Sequence, residues 1–290
     1  MRKDRMLVVR TLICAVIAAC AACSSSGGRP AAAPSTPSPT ASATPSPTKV
    51  AADGLPGMPP VLDPHDIYAA DRPGQLSSVV RHDPALVYVP NSGSNTVDVI
   101  DQHTFRIVGH YNVGRLPQHV TPSWDLKTLY ATNDLGNTLT AFDPRTGKPT
   151  KTLQVDDPYN MYFTPDGRYA IVVAERLQRL DFRDAHTMKL VKSLPLQCKG
   201  VDHADFSADG RFGLFSCEFS GKLVKIDVAR QSVISYLTLS PAAMPQDVKT
   251  SPDGKVFYVA DMASNGVWLV DGVKMRTLKF LPTGKNAHGI

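Results

Sequence analysis

The chain has 290 residues, a formal net charge of +5 and a 42% share of hydrophobic residues. Arg2, Lys3, Arg5 and Arg10 against Asp4 place most of the positive excess in the first 19 residues, so the remainder is too weakly basic to argue for nucleic acid. The chain beyond the leader is long enough for one large domain with a real core.

A basic stretch, Met1 to Arg10, precedes the apolar run "TLICAVIAAC" from Thr11 to Cys20. Residues 1–19 read as a secretory leader. The run is shorter than a permanent span prefers, and an anchor that stays attached is the alternative. Ile17-Ala18-Ala19-Cys20 resembles the bacterial lipobox. That resemblance implies that the Cys20 thiol is acylated, as with palmitate, and becomes the new N-terminus at the extracytoplasmic face of the cell membrane. Cys23 is the alternative, but it would put Cys20 where the lipobox usually has Leu. Residues 20–54 are rich in Pro, Ser, Thr and Ala without apolar periodicity, the pattern of a solvated, disordered linker.

Residues 55–290 carry an internal repeat. An aspartate in a turn recurs as Asp83, Asp125, Asp166, Asp209 and Asp253, at spacings of 42, 41, 43 and 44. A second aspartate, closing a strand-like run, is read at Asp101, Asp143, Asp181, Asp227 and Asp271, with a shortened step of 38 into the third unit. The repeats lie near 75–116, 117–157, 158–200, 201–244 and 245–286. Each is expected to hold four short β-strands joined by tight turns such as Asp166-Gly167, with no sustained helical period. Four antiparallel strands per unit of this length predict an all-β chain, a β-propeller of four-stranded antiparallel blades. The ending "TGKNAHGI" aligns with "VGRLPQHV" at 113–120, so five units and a stub are visible. They read as part of a seven-bladed propeller, with closure of a five-bladed ring by the stub as the alternative.

The stretches "VYVPNSGSNTVDVID" (87–101) and "FYVADMASNGVWLVD" (257–271), with the "SPDGK" turn, resemble the YVTN repeat. The resemblance runs over roughly residues 75–290. It implies a propeller similar in fold to the cytochrome d1 haem domain and the quinoprotein amine dehydrogenases, in a family that is often secreted and largely without assigned activity. It speaks to architecture more than to function.

The first strand of each blade lines the central channel, and its leading end defines a top face. Six residues before each turn aspartate stand Ser77, His119, Asn160, His203 and Asp247; just before them stand Leu76, Gln118, Tyr159, Asp202 and Gln246, with His288 from the stub. His119, Asn160, Asp202, His203 and Asp247 are the candidate ligand-binding residues, against the alternative that they tie blade to blade through the backbone. Cys198 and Cys217 fall near the top of one blade and are a candidate disulfide, with separate thiols or a cluster with His203 as alternatives. Arg115, Glu175, Arg176, Glu218 and Lys222 read as solvated loop charges.

No hydrolase elbow, zinc-protease helix, P-loop or c-type haem motif occurs. The expected role is a non-catalytic binding scaffold at the cell envelope, taking a protein, glycan or small molecule on its top face, with no cofactor. The alternative is an enzyme, a lactonase-like hydrolase or an oxidoreductase using haem d1, a quinone or a divalent metal.

Overall fold

In the computed structural model residues 54–290 are described. The leader, Cys20, Cys23 and nearly all of the linker lie outside the described residues. Nineteen strands form five antiparallel sheets, four of them four-stranded and one three-stranded. The first holds β1 (Leu86–Asn91), β2 (Thr96–Asp101) and β3 (Ile107–Asn112). The second holds β4 (Pro117–Pro122), β5 (Leu129–Asn133), β6 (Thr138–Asp143) and β7 (Lys148–Gln154). The third holds β8 (Asn160–Phe163), β9 (Tyr169–Ala174), β10 (Arg179–Asp184) and β11 (Leu190–Pro195). The fourth holds β12 (Val201–Phe206), β13 (Phe212–Cys217), β14 (Lys222–Asp227) and β15 (Ser232–Thr238). The fifth holds β16 (Pro245–Thr250), β17 (Phe257–Asp261), β18 (Gly266–Asp271) and β19 (Arg276–Pro282). The propeller expectation holds.

The turns of blades two to five repeat in chemistry as well as position. The turn aspartate accepts from a hydroxyl two residues before it: Ser123 to Asp125, Thr164 to Asp166, Ser207 to Asp209 and Ser251 to Asp253, at 2.6–2.7 Å. The same carboxylate takes the backbone N–H two residues on, closing an Asx turn. Gly167, Gly210 and Gly254 follow with positive φ, where any other residue is strained; Leu126 accepts that strain in the second blade.

A second device links neighbours. Asn95, Asn137 and Asn265 sit at positive φ before the third strand, and each side-chain oxygen accepts the N–H of a residue leading into the next blade: Leu116, Asp157 and Asn286, at 2.8–2.9 Å. Asn and Gly tolerate this backbone best. Gln178 and Gly221 hold the same conformation in the third and fourth blades without that side-chain bond. Asn286 repeats the left-handed φ of Leu116 and Asp157, so residues 283–290 turn as the other blade lead-ins do, although they form no strand.

Two sequence expectations are corrected. The first sheet has no inner strand: residues 78–83 are turn and bend, and Ser77 O takes the N–H groups of Val80 and Arg81. Only Val79 and Val80 are apolar there, too few to fill an inner strand, and Leu76 and Val79 stay exposed. Leu76 and Ser77 therefore take no part in a channel ring. The second correction concerns the third unit's closing aspartate, which is Asp184, not Asp181. Asp184 ends β10 and accepts from the N–H groups of His186 and Thr187, as Asp101 does from those of His103 and Thr104. Asp181 is buried mid-strand against Arg179 and Ser193. With Asp184 the step from Asp143 is 41 and the irregular spacing disappears.

Apolar faces meet between blades. Tyr88 and Tyr111 of the first lie edge-on to Phe142 of the second, and Ile171, Phe182, Phe215 and Val224 belong to the core between the third and fourth. Residues 54–70 strap the bottom face: Leu55 N–H donates to Asp209 O, Ile67 N–H to Pro252 O, and the Tyr68 hydroxyl to Thr250 O. The chain thus comes in at the end opposite the lead-ins of the inner strands.

Candidate functional site

Three inner strands open on a β-bulge. Pairing slips between Pro117 and Val120 in β4, between Val201 and Ala204 in β12, and between Pro245 and Val248 in β16. The bulges release Gln118-His119, Asp202-His203 and Gln246-Asp247 from the ladder, which is how a bulge re-aims side chains. The amides freed by two of them need partners, and hydroxyls of the second strands supply these: His119 N–H donates to Thr132 Oγ1 at 3.0 Å, and His203 N–H to Ser216 Oγ at 3.2 Å.

Strand β8 has no such slip. Asn160 pairs regularly with Val173, its amide nitrogen donates to the Tyr162 hydroxyl, and its oxygen accepts from Met161 N–H. Tyr162 in turn accepts from Ala204 N–H in the next blade. Asn160 is buried, its oxygen and one amide hydrogen are engaged, and through Tyr162 this candidate ties its blade to the next.

The other candidates converge. The rings of His119 and Tyr159 are 5.2 Å apart, His119 and His203 5.4 Å, Tyr159 and His203 6.0 Å, and His203 and His288 5.6 Å, all edge to face. His119 and His203 come from alternate blades, so the channel is narrow here. The Nδ1–H of His119 donates to the Tyr159 carbonyl, which can only accept, at 3.0 Å. Burial holds the His119 pKa below the usual imidazole value, against that bond. His203 stands between Asp202 and Asp247, with Nδ1 3.5 Å from Asp202 Oδ2 and Nε2 3.2 Å from Asp247 Oδ1. Burial opposes its charge, but Asp202 and then Asp247 outweigh burial and raise its pKa. Asp202 is fully buried; its Oδ1 accepts from Ser216 Oγ at 2.5 Å, while its Oδ2 has no hydrogen-bond partner.

Sequence reasoning missed the acidic rim. The residue just past the second strand is Asp134, Glu175 and Glu218 in three consecutive blades, in step with the repeat. Comparing that repeat position across blades would have found them. These are not isolated solvated charges. Arg176 Nε lies 2.6 Å from Asp157 Oδ1 and 3.5 Å from Asp134 Oδ1. Burial first and Asp157 second push Asp134 up. Glu175 is half-buried and pushed up to about 7, by burial and then by Asp134, Asp202, Glu218 and Asp157. Burial and Asp202 also raise Glu218.

Cys198 and Cys217 form a disulfide with Cα atoms 6.0 Å apart, which pins the lead-in of β12 to the end of β13 beside Glu218. A metal cluster of these cysteines with His203 is thereby set aside. Among the described residues no three His, Cys, Asp or Glu groups stand at metal-ligand spacing.

Comparison with known proteins agrees with this architecture. The family described as YNCE-like beta-propeller matches residues 57–290. Among solved structures, a chain of Kuenenia stuttgartiensis Hydrazine Synthase is similar, with a TM-score of 0.60 and 20% identity over 74% of this chain and 71% of that one. That identity speaks to the fold alone. No curated protein matches the chain.

Proposed function

The chain belongs to the YNCE-like β-propeller family, and from that premise we propose that it is a non-catalytic binding module of the bacterial cell envelope. A lipid on Cys20 holds it to the extracytoplasmic face of the membrane, and the channel mouth takes a ligand. The observation carrying the reading is the mouth itself, where imidazoles and a tyrosine converge under an acidic rim with a buried carboxylate oxygen lacking a donor.

The groups at the mouth that could act as nucleophile or base are held in bonds within the chain. Ser216 donates to Asp202 rather than to an imidazole, both described cysteines are joined, and His119 rests on a carbonyl. One contact favours a second reading. His203 and Asp247 form a close pair that could move a proton, as a hydrolase would require.

Two measurements test the proposal. Labelled palmitate should enter the full-length protein in a bacterial host and be lost in Cys20→Ala, which should leave the membrane fraction; unchanged labelling would contradict anchoring at Cys20. Turnover of a lactone panel that is abolished by Asp247→Asn would contradict the non-catalytic role.

A further inference from the structure

The rim has two halves of similar composition and an arginine spans only one; in the other, His203 stands beside Asp202 and Asp247. In the first half, Asp134 and Asp157 face each other across Arg176. Its guanidinium donates to Asp157 Oδ1 at 2.6 Å and to the Asp134 carbonyl at 3.3 Å, and Asp157 Oδ2 takes Leu177 N–H. In the second half, the Glu218 carboxyl lies against Asp202 and Gln246, with Glu175 from the preceding blade nearby. Among the described residues no lysine or arginine pairs with Glu175, Glu218 or Asp202. Asp202 is wholly buried, its Oδ2 lacks a donor, and His203 Nδ1 at 3.5 Å is too far to be one. A buried acceptor without a donor is costly, and like charges grouped around it add to the cost.

Four groups describe what would fill this half. Asp202 Oδ2, Glu218 and Glu175 are acceptors on adjacent blades, and the Tyr159 ring lies edge-on to His203, 6.0 Å between centroids, next to Asp202. The lack of three donors at metal spacing argues against a bare ion. A planar, multi-donor cation fits better, since a guanidinium bridges separated carboxylates and lies against aromatic rings. Arg176 bridges two carboxylates in this way in the first half.

We infer that the half of the mouth without an arginine, formed by Asp202, Glu218 and Glu175 beside Tyr159, binds a guanidinium group from outside the chain, as carried by an arginine side chain or a small guanidino compound. This rests on the binding role proposed for the same mouth and names its ligand chemistry. The cation would donate to Glu218 and Glu175, over the buried Asp202, and leave the Arg176 half unchanged.

Calorimetric titration of the full-length protein in detergent tests it. The probes are Nα-acetyl-arginine amide, its neutral isostere Nα-acetyl-citrulline amide, Nα-acetyl-glutamate amide and the tetrapeptide Gly-Arg-Gly-Gly. The arginine amide should bind and the citrulline and glutamate amides should not. Glu218→Gln and Glu175→Gln should each weaken binding roughly tenfold, the size of a charge-assisted hydrogen bond. Equal affinity for amide and tetrapeptide would assign recognition to the guanidinium alone; tighter tetrapeptide binding would point to a peptide source. Unchanged binding in both variants, or no binding of either arginine probe, would overturn the inference. Saturable binding of the glutamate or citrulline amide at the mouth would overturn the ligand class while leaving the binding role standing. Circular dichroism melts of both variants check that they fold.

Discussion

The mouth is made of residues whose individual types say little. His119, His203 and Asp247 were legible because the repeat puts them at one register position, and the bulges then turn them into the channel. Asn160 shares that position but not the bulge, a difference of backbone register that side-chain type does not encode. Glu175 and Glu218 look like ordinary loop charges until their burial is seen. Glu175 has a consequence for stability. The native state holds its proton up to about 7, whereas an unperturbed glutamate titrates near 4.5. Its stabilising contribution is therefore complete below about 4.5 and lost as pH rises to about 7. Glu175→Gln removes that loss, so its urea midpoint should gain on the wild type between pH 5 and pH 8; a gain that shrinks with pH would contradict the raised value. Ser216 supports the bulge at Asp202-His203. Ser216→Ala removes the hydroxyl that donates to the Asp202 carboxylate and accepts from His203 N–H, which then keep only each other, and should cost about 1–3 kcal/mol in denaturant unfolding. A change within about 0.5 kcal/mol, usual for surface substitutions, would deny it that role.

At the scale of elements, the turn chemistry and strand number were legible in blades two to five because each device recurs. The first blade was not, since the repeat in phase predicts an inner strand where two valines cannot bury one. The slip from Asp184 to Asp181 came from two aspartates three residues apart in "RLDFRD", which only the turn bonds distinguish. The links between blades make a further prediction. Asn137 joins the second blade to Asp157, so Asn137→Ala loses a hydrogen bond and strains a left-handed backbone position, for an expected loss of about 1–3 kcal/mol. Gln178 holds the same conformation without that bond, so Gln178→Gly should be neutral or stabilising, by up to about 1 kcal/mol. Thermal melts of the two variants should move in opposite directions or leave the second unmoved; a larger loss in Gln178→Gly would contradict the shared role of this position.

The whole molecule is a set of blades whose apolar faces cover one another, strapped beneath by the segment that leads back to the linker. The architecture follows from repetition, and so it was legible. The chemistry of the mouth depends on three blades meeting, which no single repeat contains. The eight histidines are natural reporters of it. His119, His203 and His288 line the mouth, while His65 lies in the bottom strap and His103 and His186 in turns at strand ends far from it. The most direct test follows the imidazole proton resonances of the full-length protein in detergent by NMR during titration with Nα-acetyl-arginine amide. A binding mouth predicts saturable shifts of the His119, His203 and His288 signals with His65, His103 and His186 unmoved. Stationary mouth signals, or shifts confined to His65, would contradict it.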